Sequence, residues 1–280
     1  MDEVRFEVDG ESVAGRLHEP QGQARGQIVF AHGLLSQAAE FADAPARLAE
    51  RGWRAFAVDQ RGFGASGGPR GVIDEARATA DVLGAVARLR KDRPDLPVGV
   101  VGHSMGAVFA LGALAGDATI RAGVIAAPMR TVRAELSSLE FAQYRLARGV
   151  SRLKEAAGLG PLLVPYKNRY KHLFLDREAA RRAEQAGFLS STVSLANYDR
   201  LLAMDGTRLA RQVRQPVLTI LAEKDRAVKR ASSMAVHEAL AGPKDLATLA
   251  CGHSLFGDCE AAKAVDLVDG WMGRHLPSPR

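Results

Sequence analysis

The fold of this chain is decided by residues 98–110, Val-Gly-Val-Val-Gly-His-Ser-Met-Gly-Ala-Val-Phe-Ala. The first part is short, β-branched and apolar, as a strand buried on both faces should be, and an Ala- and Leu-rich run that predicts a helix follows. Ser104 lies at the tight turn between them, and Gly102 and Gly106 stand where a Cβ would collide as the chain doubles back. The pattern predicts a strained serine above the sheet edge, in front of helix N–H groups that favour an oxyanion. The alternative interpretation is a glycine-rich strand-to-helix turn without chemistry.

Length and composition favour one large α/β domain with an insertion, because the chain has 280 residues, of which 47% are apolar. The formal net charge is +6, and arginine supplies 30 of the 38 basic residues. No basic stretch is interleaved with aromatic residues, and no nucleic-acid-binding motif is present. We therefore expect no nucleic-acid partner.

The ends and the cysteines of the chain predict neither secretion nor a metal site. The first residues, Met-Asp-Glu-Val-Arg, are acidic and lack a long apolar run, so we expect no signal peptide. No stretch is long and apolar enough to span a membrane. Cys251 and Cys259 have no metal-binding or redox spacing and are compatible with a reducing compartment. We expect a cytoplasmic protein that uses no metal and no cofactor.

Strand and helix patterns alternate along most of the chain and predict a mostly parallel eight-stranded sheet with helices on both faces. An Asp-Gly turn at residues 9–10 joins two strands into an antiparallel edge hairpin. Besides the strand before Ser104, we predict strands over residues 4–8, 12–17, 27–31, 54–58, 123–127, 216–221 and 246–250. Helices are predicted over residues 40–51, 73–91, 232–240 and 260–275, and after Ser104.

The alternation stops after the sixth strand and resumes near residue 214, which predicts a helical cap inserted into the sheet domain. We assign residues 1–128 and 214–280 to the α/β core and residues 129–213 to the cap. Such an insertion would lie over the carboxyl ends of the strands, where ligands bind in open α/β sheets. Residues 129–215 contain 16 Arg and Lys against 8 Asp and Glu, so the positive charge is concentrated here.

A serine hydroxyl needs a base to become a nucleophile, and the base needs an orienting carboxylate. His253 follows the last predicted strand and is the best candidate base. Asp225 follows the penultimate strand and is the candidate orienting acid, with Glu223 as a minor rival. The chain order Ser104, Asp225, His253 is the order expected for this architecture. The alternative interpretation is a solvated loop histidine and an ordinary turn aspartate.

Two backbone N–H groups aimed at one point would form an oxyanion hole. Met105 directly follows Ser104 and is predicted to supply one of them, and Leu34, after His32-Gly33, is predicted to supply the other. The alternative interpretation of His32-Gly33 is a plain tight turn.

The cap contains an apolar stripe at helical spacing, formed by Leu139, Ala142, Leu146, Val150, Leu153 and Ala157. One hypothesis is that this stripe covers an acyl pocket above Ser104, which makes Leu146 and Val150 candidate substrate-binding residues. Another is that the stripe packs the cap onto the core, while the charges beside it keep the cap soluble. A weaker option is that the basic amphipathic helix contacts an anionic membrane surface.

The motifs together resemble the α/β-hydrolase superfamily, and most closely its monoacylglycerol-lipase-like and serine-aminopeptidase-like branch. The resemblance is carried by His32-Gly33, Asp59-Gln60-Arg61-Gly62-Phe63-Gly64-Ala65-Ser66, Gly102-His103-Ser104-Met105-Gly106, Asp225 and Gly252-His253. It implies a serine hydrolase with Ser104 as nucleophile, His253 as base and Asp225 as its orienting acid, with the Leu34 and Met105 N–H groups as oxyanion hole. The stretch from Asp59 to Ser66 is, by the same resemblance, a structural loop near the site.

The expected function is cleavage of a small-molecule carboxylic ester through an acyl-enzyme on Ser104, with a medium or long acyl chain or a monoacylglycerol-like substrate. Hydrolysis of a thioester or an amide by the same three residues is an alternative. A third alternative is a non-catalytic ligand receptor built on the hydrolase fold, because fold alone does not fix function.

Overall fold

The structure is a computed structural model that describes residues 2–165, 170–196 and 198–276. Its strands, in chain order, are β1 Asp2–Val8, β2 Glu11–His18, β3 Gly26–Ala31, β4 Trp53–Asp59, β5 Val98–His103, β6 Ala122–Ala126, β7 Leu163–Pro165, β8 Thr192–Ser194, β9 Val217–Ala222 and β10 Lys244–Leu249.

The helices, in chain order, are α1 Ala44–Glu50, α2 Glu75–Asp92, α3 Gly106–Gly116, α4 Val132–Glu135, α5 Ser138–Ala156, α6 Tyr170–Leu173, α7 Arg177–Ala186, α8 Tyr198–Ala203, α9 Gly206–Ala210, α10 Arg230–Ala239 and α11 Ala261–His275. A short 3-10 helix, Ala38–Phe41, precedes α1, so the helix predicted over residues 40–51 is two shorter pieces.

Eight strands form one sheet in the order β1-β2-β4-β3-β5-β6-β9-β10. β1 and β2 pair antiparallel at one edge, β2 also runs antiparallel to β4, and the remaining neighbours are parallel. The mostly parallel eight-stranded sheet predicted from the sequence is confirmed, with each predicted strand found within a few residues of its predicted position. β3, β4, β5, β6 and β9 are buried along their whole length, which explains why their sequences are continuously apolar.

Two apolar layers hold the sheet, one on each face. Helices α2, α3 and α10 contribute to one layer, through side chains such as Val82, Leu111 and Val236. Helices α1 and α11 contribute to the other, through side chains such as Leu48 and Val268. Helices on both faces leave the two ends of the parallel strands as the places where polar side chains can gather.

In the part that the structure describes, the segment from 129 to 213 is mostly helical, as predicted, and it also contains two short strands. β7 and β8 pair antiparallel into a two-stranded sheet beside the cap helices. α9 packs against α3 and α10 of the core, so the last part of the segment lies on the main domain. The boundaries at residues 129 and 213 stay a prediction.

The cap, residues 129–213, is attached to loops at the carboxyl ends of the strands. The N–H of Ser190 donates to the carbonyl of Leu35 after β3 at 2.6 Å, and the N–H of Ser254 after β10 donates to the carbonyl of Leu173 at 2.9 Å. The cap therefore borders the edge where the candidate catalytic residues lie. Within the described ranges, no helix combines the length and apolarity needed to cross a membrane.

Candidate active site

The turn between β5 and α3 places Ser104 in a strained conformation. Its φ is 56°, in the left-handed region that non-glycine residues rarely adopt. A Cβ on Gly102 would lie 2.4 Å from the carbonyl oxygen of Gly106, and one on Gly106 would lie 2.1 Å from that of Ala31. Both glycines are therefore required by the close approach of the backbone, as the sequence predicts. The N–H of Ser104 donates to the carbonyl of Ala126 at 2.8 Å and fixes the turn to the neighbouring strand.

The structure brings Asp225 and His253 together. Their loops follow β9 and β10, and His253 Nδ1 lies 2.8 Å from Asp225 Oδ2. The other carboxylate oxygen of Asp225 accepts the N–H groups of Ala227 and Val228, both at 2.8 Å. The side chain of the rival, Glu223, is exposed. The carboxylate that contacts His253 is thus that of Asp225.

The protonation of this pair follows from its surroundings. Burial by itself raises the pKa of Asp225, but the charge of His253 and hydrogen bonds from His253 and the Val228 N–H more than offset it, so the net pKa lies below the ordinary value of 3.8. Asp225 is therefore an ionised carboxylate that only accepts hydrogen bonds, and His253 Nδ1 carries the proton. When the ring is neutral, His253 Nε2 is the acceptor, which is the state a general base requires.

His253 lies against the residue that precedes Ser104. The imidazole rings of His103 and His253 have centroids 4.7 Å apart, and His103 Nε2 lies 2.8 Å from the carbonyl oxygen of His253. Both His253 and Ser104 are buried. The three residues predicted as a triad therefore share one edge of the sheet.

The turn after β3 approaches Ser104 closely. A Cβ on Gly33 would lie 3.2 Å from the Cβ of Ser104, so a side chain there would force its neighbours to shift. Leu34 and Met105 line the same cavity, and within the described residues neither of their N–H groups donates a hydrogen bond. Two unengaged donors beside Ser104 are what an oxyanion hole needs.

His32 orients one of these donors, a role that sequence reasoning missed. The N–H of Gln60 donates to His32 Nε2 at 3.1 Å, so the proton of the neutral ring is on Nδ1, which donates to the carbonyl of Gly33 at 3.0 Å. Burial lowers the pKa of His32, which keeps the ring neutral. Because the Gly33–Leu34 peptide is trans, its N–H points away from the carbonyl that His32 holds. The signal in the sequence was a histidine directly after a buried strand and before glycine.

The cavity beside Leu34 and Met105 contains about 330 Å³ of empty space, part of it open to solvent. Its walls combine apolar side chains with charged ones, namely Leu34, Leu35, Phe63, Val72, Ile73, Met105, Ala78 and Phe109 with Arg61, Asp74, Arg77 and Asp81. Leu146 and Val150 do not line it. Their predicted role in substrate binding stays a prediction.

The apolar stripe of the cap lies on an exposed face of α5. Leu146 and Leu153 are each 74% exposed and Val150 is 46% exposed, so the expectation that the stripe packs the cap onto the core is wrong. The opposite face is turned inward, where buried Ser151 accepts the N–H of Leu162 at 3.0 Å. On the inward side Tyr144 and Ala147 also pack against the core, so both polar and apolar contacts hold this helix to its neighbours.

Comparison with known proteins places the chain among relatives with the same architecture. Residues 22–260 match the family described as Serine aminopeptidase, S33. A monoacylglycerol lipase of Mycolicibacterium smegmatis is 26% identical over 284 residues, covering 96% of this chain and 95% of the relative. Human monoglyceride lipase is 32% identical over 105 residues, covering 37% of this chain and 35% of the relative.

Among solved structures, a soluble variant of monoglyceride lipase from Saccharomyces cerevisiae has a TM-score of 0.82 at 15% identity, covering 98% of this chain and 96% of that chain. A similarity at this level of identity shows the fold, which is that of the α/β hydrolases.

Proposed function

We propose that this chain, which belongs to the Serine aminopeptidase, S33 family and is an α/β hydrolase of the esterase and lipase type, cleaves carboxylic esters through an acyl-enzyme on Ser104. The observation that carries the proposal is the Asp225–His253 hydrogen bond at 2.8 Å, beside a strained serine and a cavity with two unengaged N–H donors. The rate of ester hydrolysis by Ser104→Ala tests it.

The proposed reaction has two halves. His253 Nε2 takes the proton from Ser104 Oγ as the oxygen attacks the carbonyl carbon, and the Leu34 and Met105 N–H groups stabilise the resulting oxyanion. The intermediate collapses, and the departing alcohol takes the proton from His253. A water molecule, deprotonated by His253, then attacks the acyl-enzyme, which releases the carboxylic acid and restores Ser104. Throughout, the Asp225 carboxylate holds the ring and stabilises the imidazolium.

We propose a medium or long acyl chain, as in a monoacylglycerol. The name of the Mycolicibacterium smegmatis relative supports this substrate class. The apolar walls of the cavity, among them Phe63, Ile73 and Phe109, also support it, because they lie beside the proposed oxyanion hole. Each methylene that leaves water contributes about 0.8 kcal/mol.

We therefore expect kcat/KM to rise from acetyl to octanoyl esters of p-nitrophenol. Ile73→Trp fills part of the cavity, and excluding two methylenes should lower kcat/KM for the octanoyl ester by about tenfold relative to the acetyl ester. Steady-state rates with esters of graded length measure both effects. Leu246→Ser, which changes an exposed side chain on β10, is the matched control. A wild-type preference for acetyl esters would contradict the proposed acyl specificity.

We further propose that the exposed stripe of α5 contacts an anionic membrane surface, where a monoacylglycerol would be found. Six of the eight large apolar side chains that are exposed among the described residues lie between residues 139 and 163. Residues 129–215, which contain them, carry the net positive charge of the molecule. Apolar side chains beside basic ones are the combination that binds an interface containing anionic lipid.

Sedimentation with vesicles tests this contact. We expect the protein to bind phosphatidylcholine vesicles that contain phosphatidylglycerol more strongly than vesicles of phosphatidylcholine alone. The double variant Leu146→Ser and Leu153→Ser should lose binding at least about tenfold, since two leucines leave the interface, while Leu246→Ser should bind as wild type does. Vesicle binding by the double variant that equals that of the wild type would refute the contact. Light scattering that shows a wild-type dimer, dissociated in the double variant, would also refute it, because the stripe would then be buried between two copies of the chain.

A further inference from the structure

A buried pair of ionisable side chains, Glu40 and His103, lies directly behind Ser104. Glu40 is in the short 3-10 helix before α1, and His103 is the last residue of β5. His103 Nδ1 is in hydrogen-bond contact with Glu40 Oε1, and both side chains are less than a tenth exposed. A buried carboxylate is costly unless it is paired and hydrogen-bonded, and His103 is the buried partner of Glu40 here.

The hydrogen bonds determine where the protons are. The N–H of Gly33 donates to Glu40 Oε2 at 2.7 Å. The carbonyl oxygen of His253 can only accept, so His103 Nε2, at 2.8 Å, carries a proton. Burial by itself raises the pKa of Glu40, but the charge of His103 and its hydrogen bond outweigh it and lower the pKa to about 2. Glu40 is thus ionised, His103 carries protons on both nitrogens, and the two form a carboxylate–imidazolium pair.

The pair touches each of the three segments that the proposed reaction uses. Glu40 holds the N–H of Gly33, the residue before the proposed oxyanion donor Leu34. His103 is joined through the chain to Ser104, and it donates to the carbonyl of His253. A shift of Glu40 would therefore move the oxyanion donor, the nucleophile and the base relative to one another.

We propose that Glu40 and His103 are positioning residues. They form an internal ion pair that holds the turn at Gly33–Leu34, the turn at Ser104 and the loop that carries His253 in one reactive arrangement. The inference rests on the proposed function. Both side chains are buried and neither lines the cavity beside Leu34 and Met105, so the pair acts through the residues it holds. A misplacement of about 1 Å in such an arrangement costs a rate factor of about 10².

Glu40→Ala should therefore lower kcat about a hundredfold with little change in KM. Glu40→Gln should recover at least about tenfold of that loss, because its amide oxygen can accept the Gly33 N–H while its N–H donates to His103 Nδ1. The double variant Glu40→Ala and His103→Ala should lose about as much kcat as either single variant, since the two residues act as one unit. Steady-state kinetics with a p-nitrophenyl ester and circular dichroism of each variant provide these measurements.

Asp269→Asn is the matched control. Asp269 lies on α11, away from Ser104, and its carboxylate accepts hydrogen bonds from Trp53 and Arg25. Its replacement should therefore affect stability without changing kcat. A folded Glu40→Ala with wild-type kcat would overturn the inference, and so would a Glu40→Gln as slow as Glu40→Ala. Wild-type protein that neither turns over esters nor reacts with a fluorophosphonate would instead refute the proposed function. The wild-type protein thus tests the function, and the Glu40 variants test the positioning role.

The pH dependence of stability provides a second measurement of the ion pair. The pKa of Glu40 is lowered from 4.5 to about 2. Its contribution to the free energy of unfolding is therefore present above pH 4.5 and is lost as the pH falls from 4.5 to about 2. Burial by itself lowers the pKa of His103, but the carboxylate of Glu40 outweighs burial and the net pKa is raised above 6.5. The contribution of His103 to the free energy of unfolding is therefore complete below pH 6.5 and is lost as the pH rises through the raised pKa. The other titratable groups that face the pair are His32, Asp225 and His253.

The unfolding free energy of wild type relative to Glu40→Gln should therefore be greatest between pH 4.5 and 6.5 and should decrease on both sides. Urea titrations across that range measure it. A difference that is independent of pH would indicate a neutral pair and would overturn the inference.

Discussion

Ser104→Ala is expected to lower kcat/KM for ester hydrolysis by about 10⁴-fold or more, since it removes the hydroxyl that would form the acyl-enzyme. The backbone of the turn should survive, because alanine keeps the Cβ of serine and loses only the hydroxyl. His253→Ala should be about as severe, because residues that act as a unit do not contribute additively. Initial rates with p-nitrophenyl octanoate measure both effects.

A fluorophosphonate separates loss of chemistry from loss of folding. Wild-type protein should gain one adduct on the peptide that contains Ser104, and folded Ser104→Ala should gain none. Cys259→Ser, which removes an exposed thiol, should label and turn over as wild type does. The second thiol is not a competing nucleophile, because burial raises the pKa of Cys251 to about 12. Near-normal turnover by Ser104→Ala would contradict the mechanism, whereas folded wild type without label would favour a non-catalytic ligand receptor.

Asp225→Asn is expected to lower kcat by about 10⁴-fold while leaving the fold intact. The asparagine oxygen can still accept the N–H groups of Ala227 and Val228, which Asp225 now holds at 2.8 Å. Its amide N–H would donate to His253 Nδ1 and move the ring proton to Nε2. The histidine would then present a proton, instead of an acceptor, to Ser104.

Glu223→Gln is the matched control, since it removes an equal charge two residues earlier on an exposed side chain. It should leave kcat within about twofold, as surface charge changes usually do. A harmless Asp225→Asn together with a severe Glu223→Gln would show that the orienting acid has been assigned to the wrong carboxylate.

The sheet could be predicted from the sequence because the pattern that specifies each strand and turn lies within a short stretch of the chain. Strands buried on both faces need continuous apolar runs, and the glycines around Ser104 are dictated by backbone contacts within one turn. The candidate residues Asp225 and His253 could be named for a related reason. Each follows a strand, and the carboxyl ends of parallel strands meet at one edge of the sheet.

The orientation of α5 could not be predicted in the same way. The spacing of Leu146, Val150 and Leu153 correctly predicts one apolar face on a helix, but periodicity does not say what that face meets. In the structure the stripe is exposed, and the opposite side of α5 is turned inward, where Tyr144 and Ala147 pack against the core and Arg148 pairs with Glu155 at 2.7 Å.

The sequence by itself determined the sheet, the strained turn at Ser104 and the residue types that gather at its edge, because each depends on neighbours along the chain. Only the tertiary structure decided that Asp225 rather than Glu223 meets His253, and that Glu40 meets His103, 63 residues further along the chain. No periodicity or spacing encodes such a pairing. It arises when separate loops fold onto the same strand ends and their buried polar groups must find partners.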